Sequence, residues 1–195
     1  DGEVWKIRLL GINTPEKNMP FADNAKNFLK EFENKSIELL RDKEDIDKYD
    51  RKLRYIFYDD FLINLQILER GFANTYYLDG LKYEQELIAA ENKAKTNEEG
   101  IWTKSQEKCV NCISLKMLDY KSEFFVLENA CSFSCNLTGW FVKDAGRNTF
   151  KLSYLDSGEE RAYYSKNGTS VWNDDGDRFF LFDDTGLLVL FYGYQ

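Results

Sequence analysis

The chain has 195 residues, 43% of them hydrophobic and 16% aromatic, and carries 26 Lys and Arg against 34 Asp and Glu, a formal charge of -8. This acidic balance excludes a broadly basic surface of the kind that coats duplex DNA, while the apolar content is enough for one large or two small cores. Histidine is absent, which excludes the commonest general base and leaves chemistry to carboxylates, arginines or cysteines.

The first half of the chain has the pattern of a mixed helix and strand domain. Polarity alternates over Val4–Leu10, which predicts a half-buried strand with Arg8 on its polar face. The next segment, GINTPEKNMPF, holds both prolines and predicts a constrained loop. Apolar spacing then predicts helices within residues 25–32, 65–72 and 83–94 and strands at 36–40 and 53–58. Helices added to such strands fit a small barrel, so we expect an α+β domain over residues 1–108.

The residue pattern of the chain changes after the polar segment TKSQEK at residues 103–108. From Cys109 onward no helical period is found, and short strand-like runs follow at 113–119, 124–128, 140–143, 150–155, 178–182 and 187–191. Turn signals separate them, namely DAGRN, DSGEE, KNGTS, DDG and DDTG. Short strands at such spacing are typical of a β-sandwich, which we expect over residues 109–195.

Arg8, Glu16 and Arg51 are the residues that best fit phosphodiester hydrolysis. The reaction needs an oriented water and cationic groups that neutralise the charge growing on the phosphorus oxygens. Arginine suits the second task because its planar guanidinium donates paired hydrogen bonds to phosphate. In a chain with 31% charged residues, however, such residues alone are typical of surface ion pairs, so the motif context decides.

That context resembles the staphylococcal nuclease (thermonuclease) family from Glu3 to Trp102. The segments that carry the resemblance are, in order, RLLGINTPE, PFADNAKNFLK, DKYDRKLRYIF, INLQILERGFA and AAENKAKTNEEGIW. The catalytic residues of that family are the arginine before a GxDTPE loop, the glutamate of the loop and the arginine of a DxYGR segment. By position they fall on Arg8, Glu16 and Arg51. The resemblance implies an OB-fold barrel with helices and a calcium-dependent endonuclease acting on DNA and RNA.

The calcium site that the resemblance implies is altered here. The family holds its ion with two aspartates and a backbone carbonyl, and these loop positions are Asn13 and Thr14 in this chain. An amide oxygen is a legitimate calcium ligand but brings no charge, so we expect weaker binding. The second aspartate lies in a DGDT segment expected upstream of Asp1. We therefore expect the natural protein to begin earlier and the barrel to lack its first strand, which would expose an edge.

A non-catalytic protein that binds nucleic acid or a surface through a degenerate nuclease domain is the alternative function. The presence of Arg8, Glu16 and Arg51 together favours the enzyme. Lys48 and Tyr49 lie in the same loop as Arg51, where an ammonium and an aromatic face could meet a phosphate and a base. We therefore predict that both bind nucleotide, the other interpretation being that they are solvated surface residues.

The second half resembles the lamin-tail domain, an immunoglobulin-like β-sandwich. The segments LTGW at Leu137–Trp140 and WNDDGD at Trp172–Asp177 carry the resemblance, within EFFVLENACSFSCNLTGWFVKD and SVWNDDGDRFFLFDDTGLLV. The resemblance implies a binding or tethering domain with a surface or protein ligand and no catalytic residues. For the whole chain we expect a monomer with DNA and RNA as substrates.

The four cysteines are expected to gather at one end of a hairpin. If strands 112–119 and 124–131 pair around the turn, Cys112 faces Cys131 and Cys109 falls near Cys135, within disulfide range. Two disulfides suit an even cysteine count in a secreted protein. The same cluster could instead hold a structural zinc ion, so both alternatives stay open.

Export is the expected localisation. No stretch approaches the roughly 18 apolar residues that a membrane span requires. No leader sequence precedes the folded part, so a targeting segment is either absent or already removed. The expected protein is thus an extracellular nuclease.

Overall fold

The computed structural model describes residues 2–166 and 169–194, which form two compact units, Asp1–Trp102 and Thr103–Gln195. The polar segment at 103–108 belongs to the second unit, where the Ser105 N–H donates to the Leu188 carbonyl at 2.9 Å. The sequence pattern had indicated a boundary six residues later, after Lys108. The predicted KNGTS turn contains Asn167 and Gly168, which lie outside the described residues.

The strands of the first unit are short and centre on one long strand. They are β1 (Ile7–Leu9), β2 (Ile12–Asn13), β3 (Glu38–Leu40), β4 (Lys52–Tyr58), β5 (Phe61–Leu62) and β6 (Asn74–Thr75). β4 pairs in parallel with β1 and antiparallel with β3 and β5, while β2 pairs antiparallel with β6. β1 is shorter than predicted because Val4 and Trp5 are exposed, at 91% and 44%, and have no apolar surface to cover.

The helices of this unit are α1 (Ala22–Lys30), α2 (Ile63–Glu69) and α3 (Glu84–Thr96), as their apolar spacing predicts. Their buried residues, including Phe28, Ile67 and Leu87, pack with strand residues in one core. Asn64 of α2 is fully buried. It accepts from the Ile56 N–H at 3.1 Å and donates to the Leu10 carbonyl at 2.9 Å. This side chain therefore ties α2 to the end of the segment that carries Arg8.

The predicted closed barrel is not found among the described residues of the first unit. A barrel closes only when its edge strands find each other through a continuous hydrogen-bonded ladder. Here, within residues 2–102, β1 pairs with β4 alone and β2–β6 form a separate ladder. The unit is therefore an α+β domain with a partial sheet.

The second unit is rich in β-strands. They are β7 (Ile113–Asp119), β8 (Phe124–Asn129), β9 (Cys135–Asn136), β10 (Phe141–Lys143), β11 (Thr149–Lys151), β12 (Tyr154–Leu155), β13 (Glu160–Tyr164), β14 (Asp177–Phe182) and β15 (Leu188–Tyr194). They form the sheets β11-β10-β14-β15 and β13-β8-β7 and the pair β12-β9. Phe125 and Leu127 of one sheet share a core with Phe179 and Leu181 of the other. Both larger sheets thus face a common apolar interior.

Two strands of this unit escape the sequence pattern. β9 is only two residues long, too short to give a pattern. β13, with the sequence ERAYY, is an edge strand that pairs only with β8 within the described sheet, and it carries a glutamate and an arginine. The predicted run 150–155 is split into β11 and β12, which pair with different partners. Charged side chains on an edge strand prevent it from pairing with strands of other molecules. They also interrupt the alternation of apolar residues by which a strand is recognised in a sequence.

The cysteines form two disulfides, Cys109–Cys135 and Cys112–Cys131, which confirms the predicted pairing and leaves no thiolate for zinc. The β7–β8 hairpin brings them together despite a bulge between Leu115 and Met117. In the described residues no helix is long and apolar enough to cross a membrane.

Candidate active site

Arg8 occupies the middle of β1, opposite Leu53 of β4, and is half-buried. Its Nη2 donates a hydrogen bond to Asn13 Oδ1 at 3.2 Å. Its guanidinium carbon lies 6.0 Å from the centre of the Tyr76 ring. Both neighbours come from the β2–β6 ladder, since Asn13 is in β2 and Tyr76 directly follows β6. This ladder therefore forms one wall beside the guanidinium.

Arg8 shares its surroundings with the two other predicted catalytic residues. Burial lowers the pKa of Arg8, and the Arg51 guanidinium lowers it further. Tyr76, Asp47 and Glu16 act in the opposite direction. Arg51 and Glu16 therefore lie within electrostatic range of Arg8, although 43 positions separate Arg8 from Arg51 in the sequence.

Arg51 forms an ion pair with Asp47, which lies four residues earlier in the same loop. Asp47 Oδ2 accepts from Arg51 Nε at 2.7 Å and lies 2.6 Å from Nη2. Its Oδ1 accepts from the N–H groups of Tyr49 and Arg51. Partial burial raises the pKa of Asp47, but the hydrogen bonds from Arg51 and the backbone outweigh it and lower the pKa to about 2. A paired, oriented guanidinium with Nη1 pointing elsewhere is suited to binding a phosphate.

Tyr49 is exposed, at 54%, between two cations. The Lys48 ammonium lies 5.3 Å and the Arg51 guanidinium carbon 5.4 Å from the centre of its ring. Both distances are within the range of a cation–π contact. Lys48, Tyr49 and Arg51 therefore form one surface, although sequence spacing alone indicated only a shared loop.

Glu16 and the loop that carries it are shaped by backbone geometry. The Tyr76 N–H donates to the Gly11 carbonyl at 3.0 Å, which fixes the start of the loop. Gly11 has φ +72, and a Cβ there would require the buried Leu87 side chain to shift, so glycine is the residue best suited to this position. The Glu16 side chain is exposed to solvent, as a group that handles water must be.

The loop offers oxygen donors of the kind that calcium uses. Asn13 has an amide oxygen, Thr14 a backbone carbonyl and Glu16 a carboxylate, and calcium takes six to eight such ligands, waters included. The Asn13 oxygen accepts a hydrogen bond from Arg8. These oxygen atoms are of the type that calcium binds, but only one of the three groups, Glu16, is negatively charged. Across residues 2–166 and 169–194, no cluster of three or more His, Cys, Asp or Glu is arranged as a metal site.

Two groups at this site escaped the sequence reasoning, Asp47 and Tyr76. The i, i+4 spacing of Asp47 and Arg51 in DKYDR was a usable signal for an ion pair. No local signal places Tyr76 near Arg8, because β6 reaches β1 only through its pairing with β2.

The sequence profile of the staphylococcal nuclease homologue family matches residues 6–104, which hold every side chain of this site. The chain belongs to the staphylococcal nuclease homologue family. Similar proteins include a thermonuclease of Staphylococcus intermedius, 31% identical over 110 residues, covering 52% of this chain and 66% of the relative. An uncharacterized protein of Methanocaldococcus jannaschii is 34% identical over 131 residues, covering 52% of this chain and 63% of the relative. Endonuclease YncB of Bacillus subtilis is 30% identical over 115 residues, covering 54% of each.

Membership of the staphylococcal nuclease homologue family accounts for the first unit alone. The family profile ends at residue 104, and the chain spans 66% and 63% of the first two relatives mentioned, less than two thirds of each. Two of these relatives, at about 30% identity, are named as nucleases. The family therefore supports a nuclease, while the lamin-tail resemblance of the second unit has no counterpart among the matches.

Proposed function

We propose that the first unit is a phosphodiesterase that cleaves DNA and RNA, with Arg8, Arg51 and Glu16 as its catalytic residues. The observation that carries the proposal is the neighbourhood of the Arg8 and Arg51 guanidinium groups, which oppose each other's charge. Asp47 compensates part of this positive charge through its pairing with Arg51, and an anion bound between the two guanidinium groups would compensate the rest. A phosphodiester is such an anion, and a carboxylate beside it completes the chemistry.

In the proposed reaction Glu16 accepts a proton from a water molecule as that water attacks phosphorus in line. The bond from phosphorus to the leaving oxygen breaks, and that oxygen takes up a proton from solvent. Arg8 and Arg51 donate hydrogen bonds to the phosphoryl oxygens, on which negative charge grows in the transition state. Asp47 keeps the Arg51 guanidinium in a fixed orientation through its paired contacts, so the donors need little reorganisation during the reaction.

Calcium dependence is part of the proposal. Asn13 Oδ1 and the Thr14 carbonyl would hold the ion, with waters and substrate oxygens completing its coordination. When bound, calcium would neutralise phosphate charge and orient the attacking water.

Lys48 and Tyr49 are proposed to bind the nucleotide next to the cleaved bond. The exposed ring of Tyr49 offers a face on which a base can stack, a contact that tolerates any base. The Lys48 ammonium beside the ring would meet a neighbouring phosphate. This arrangement supports action on both DNA and RNA, since it reads no base edge.

The second unit is proposed to be a lamin-tail-type, immunoglobulin-like β-sandwich that tethers the enzyme to a surface or protein ligand. Two sheets around a shared aromatic core support this fold. Two disulfides support secretion, because such bonds persist in oxidising compartments. We propose that the secreted chain acts as a monomer.

Cleavage of a fluorophore-quencher oligonucleotide, as DNA and as RNA, tests the function. The full chain should cleave both in calcium and lose activity in chelator. Glu16→Gln should abolish most of the activity, while Glu33→Gln, the same change at an exposed residue after α1, should not. Binding of the oligonucleotide without cleavage would refute the enzyme and favour the non-catalytic alternative.

A further inference from the structure

Glu91 is a buried carboxylate on α3 that the proposed chemistry does not use. It is 2% exposed. Its Oε1 accepts hydrogen bonds from the Thr75 N–H at 2.7 Å and from the Thr75 hydroxyl at 3.2 Å, and its Oε2 accepts from Lys95 Nζ at 2.8 Å. Burying a carboxylate is costly unless it is paired and hydrogen-bonded. Both carboxylate oxygens of Glu91 accept hydrogen bonds, which offsets the cost of burial, and the bonds to Thr75 connect α3 to β6.

Thr75 adjoins the two residues that lie beside Arg8, Asn13 and Tyr76. In the β2–β6 ladder Thr75 is opposite Ile12, and the next pair places Asn13 opposite Asn74. Asn13 accepts the hydrogen bond from Arg8. Tyr76 follows Thr75 in the chain and lies beside the Arg8 guanidinium. A displacement of Thr75 would therefore move both neighbours of Arg8 at once.

The β2–β6 ladder is too short to fix this geometry alone. Each of its strands has two residues, whereas isolated ladders normally need more strands or packing for stability. α3 is the longest helix among residues 2–102, and its buried Leu87, Ala90 and Ala94 anchor it. A site is held best when its support reaches a rigid element. The contact from Glu91 to Thr75 supplies that connection.

We propose that Glu91 is a positioning residue that holds the Arg8 guanidinium in its cleavage geometry through Thr75 and the β2–β6 ladder. The inference rests on the proposed function for its kinetic consequence. Its geometric part, the order of the Arg8 side chain, stands on the hydrogen bonds alone. Glu91 itself touches neither substrate nor reacting atoms.

Three variants of the full chain separate positioning from plain stability. Glu91→Leu keeps the volume but leaves the Thr75 N–H and hydroxyl without their acceptor. Glu91→Gln retains an acceptor oxygen for Thr75 and so serves as the conservative rescue. Ala94→Gly, at a fully buried position of the same helix, weakens α3 without removing any bond to Thr75. It is the control matched for lost stability.

Kinetics should be measured well below the melting temperature of each variant. We expect Glu91→Leu to lower kcat by about tenfold to a hundredfold, since small misplacements of catalytic groups have effects of this size. KM should change much less, Glu91→Gln should recover most of kcat, and Ala94→Gly should keep it. A purely structural role predicts instead that Glu91→Leu and Ala94→Gly behave alike, and this result would overturn the proposal.

A nuclear magnetic resonance measurement keeps this inference distinct from the proposed function. The Nε–Hε signal of Arg8, assigned by its loss in Arg8→Lys, should shift or broaden in Glu91→Leu and stay unchanged in Ala94→Gly. If the parent protein cleaves nothing, the proposed function fails, but this signal still reports whether Glu91 positions Arg8. An unchanged Arg8 signal in Glu91→Leu would overturn the positioning role whatever the activity.

Discussion

Replacing Arg51 with lysine keeps the positive charge of the site but removes its planar set of N–H donors. Asp47 engages Nε at 2.7 Å and Nη2 at 2.6 Å, which leaves the Nη1 donors for a phosphate. A lysine has one nitrogen, so it cannot hold Asp47 and donate to phosphate with the same geometry. The loss of one oriented transition-state donor lowers kcat by about 10²- to 10³-fold, or roughly 3 to 4 kcal/mol.

Initial rates of oligonucleotide cleavage at saturating substrate measure this effect. Arg41→Lys makes the same chemical change at an exposed arginine just after β3 and should leave kcat unaltered. KM for Arg51→Lys should rise less than kcat falls, because the missing hydrogen bond belongs chiefly to the transition state. The reasoning is refuted if Arg51→Lys and Arg41→Lys have equal kcat while both remain folded.

Three further changes test the metal site and the second unit. Asn13→Asp adds a carboxylate to the calcium loop and should tighten calcium binding by about tenfold or more, as measured by titration calorimetry; an unchanged Kd would contradict the assigned loop. Burial raises the pKa of Asp144 to about 6. Between about pH 4 and pH 6 the folded chain therefore keeps a proton that the unfolded chain releases, and stability falls as pH rises. Asp144→Asn removes this titration but also loses one of the two hydrogen bonds that Asn148 donates to the carboxylate; relative to the parent, the variant should therefore be more stable at pH 8 than at pH 4 in urea denaturation, and an equal difference at both pH values would contradict this. Replacing Cys112 and Cys131 with alanine should cost about 3 kcal/mol by the loop-closure estimate, measured the same way in non-reducing buffer, and a cost near zero would contradict it.

Local sequence was sufficient for the helices, and it singled out the residues of the proposed site. α1, α2 and α3 follow their apolar spacing because each must bury one face. Arg8, Glu16 and Arg51 stand out because their motifs have a recognisable order. The disulfide pairing also followed from a local rule, since a hairpin brings the residues on its two strands opposite each other.

Long-range pairing produced most of the differences from the sequence predictions. β13 pairs with β8 across more than thirty residues of intervening chain, so its own charged sequence gave no hint of a strand. The bulge at Leu115–Met117 shifts the β7–β8 register by one residue. Bulges depend on the fit of a whole sheet, and periodicity does not reveal them.

Glu91 shows the same limit at a functional position. In sequence, Glu91 and Lys95 are an ordinary i, i+4 pair of the kind found on solvent-exposed helix faces. Only the packing of α3 against the β2–β6 ladder buries the carboxylate and aims it at Thr75. The same holds for Tyr76, which reaches Arg8 through strand pairing.

The sequence by itself determined which chemical groups are available, two arginines and a glutamate without any histidine, and which helices and hairpin would carry them. The tertiary structure alone decided which residues from distant segments support them: Tyr76 beside Arg8, and Glu91 of α3 bonded to Thr75 of the β2–β6 ladder. The reason is physical. Helical spacing and turns depend on neighbours a few residues apart, whereas strand register and the burial of a charge depend on contacts between distant segments, which exist only in the folded chain.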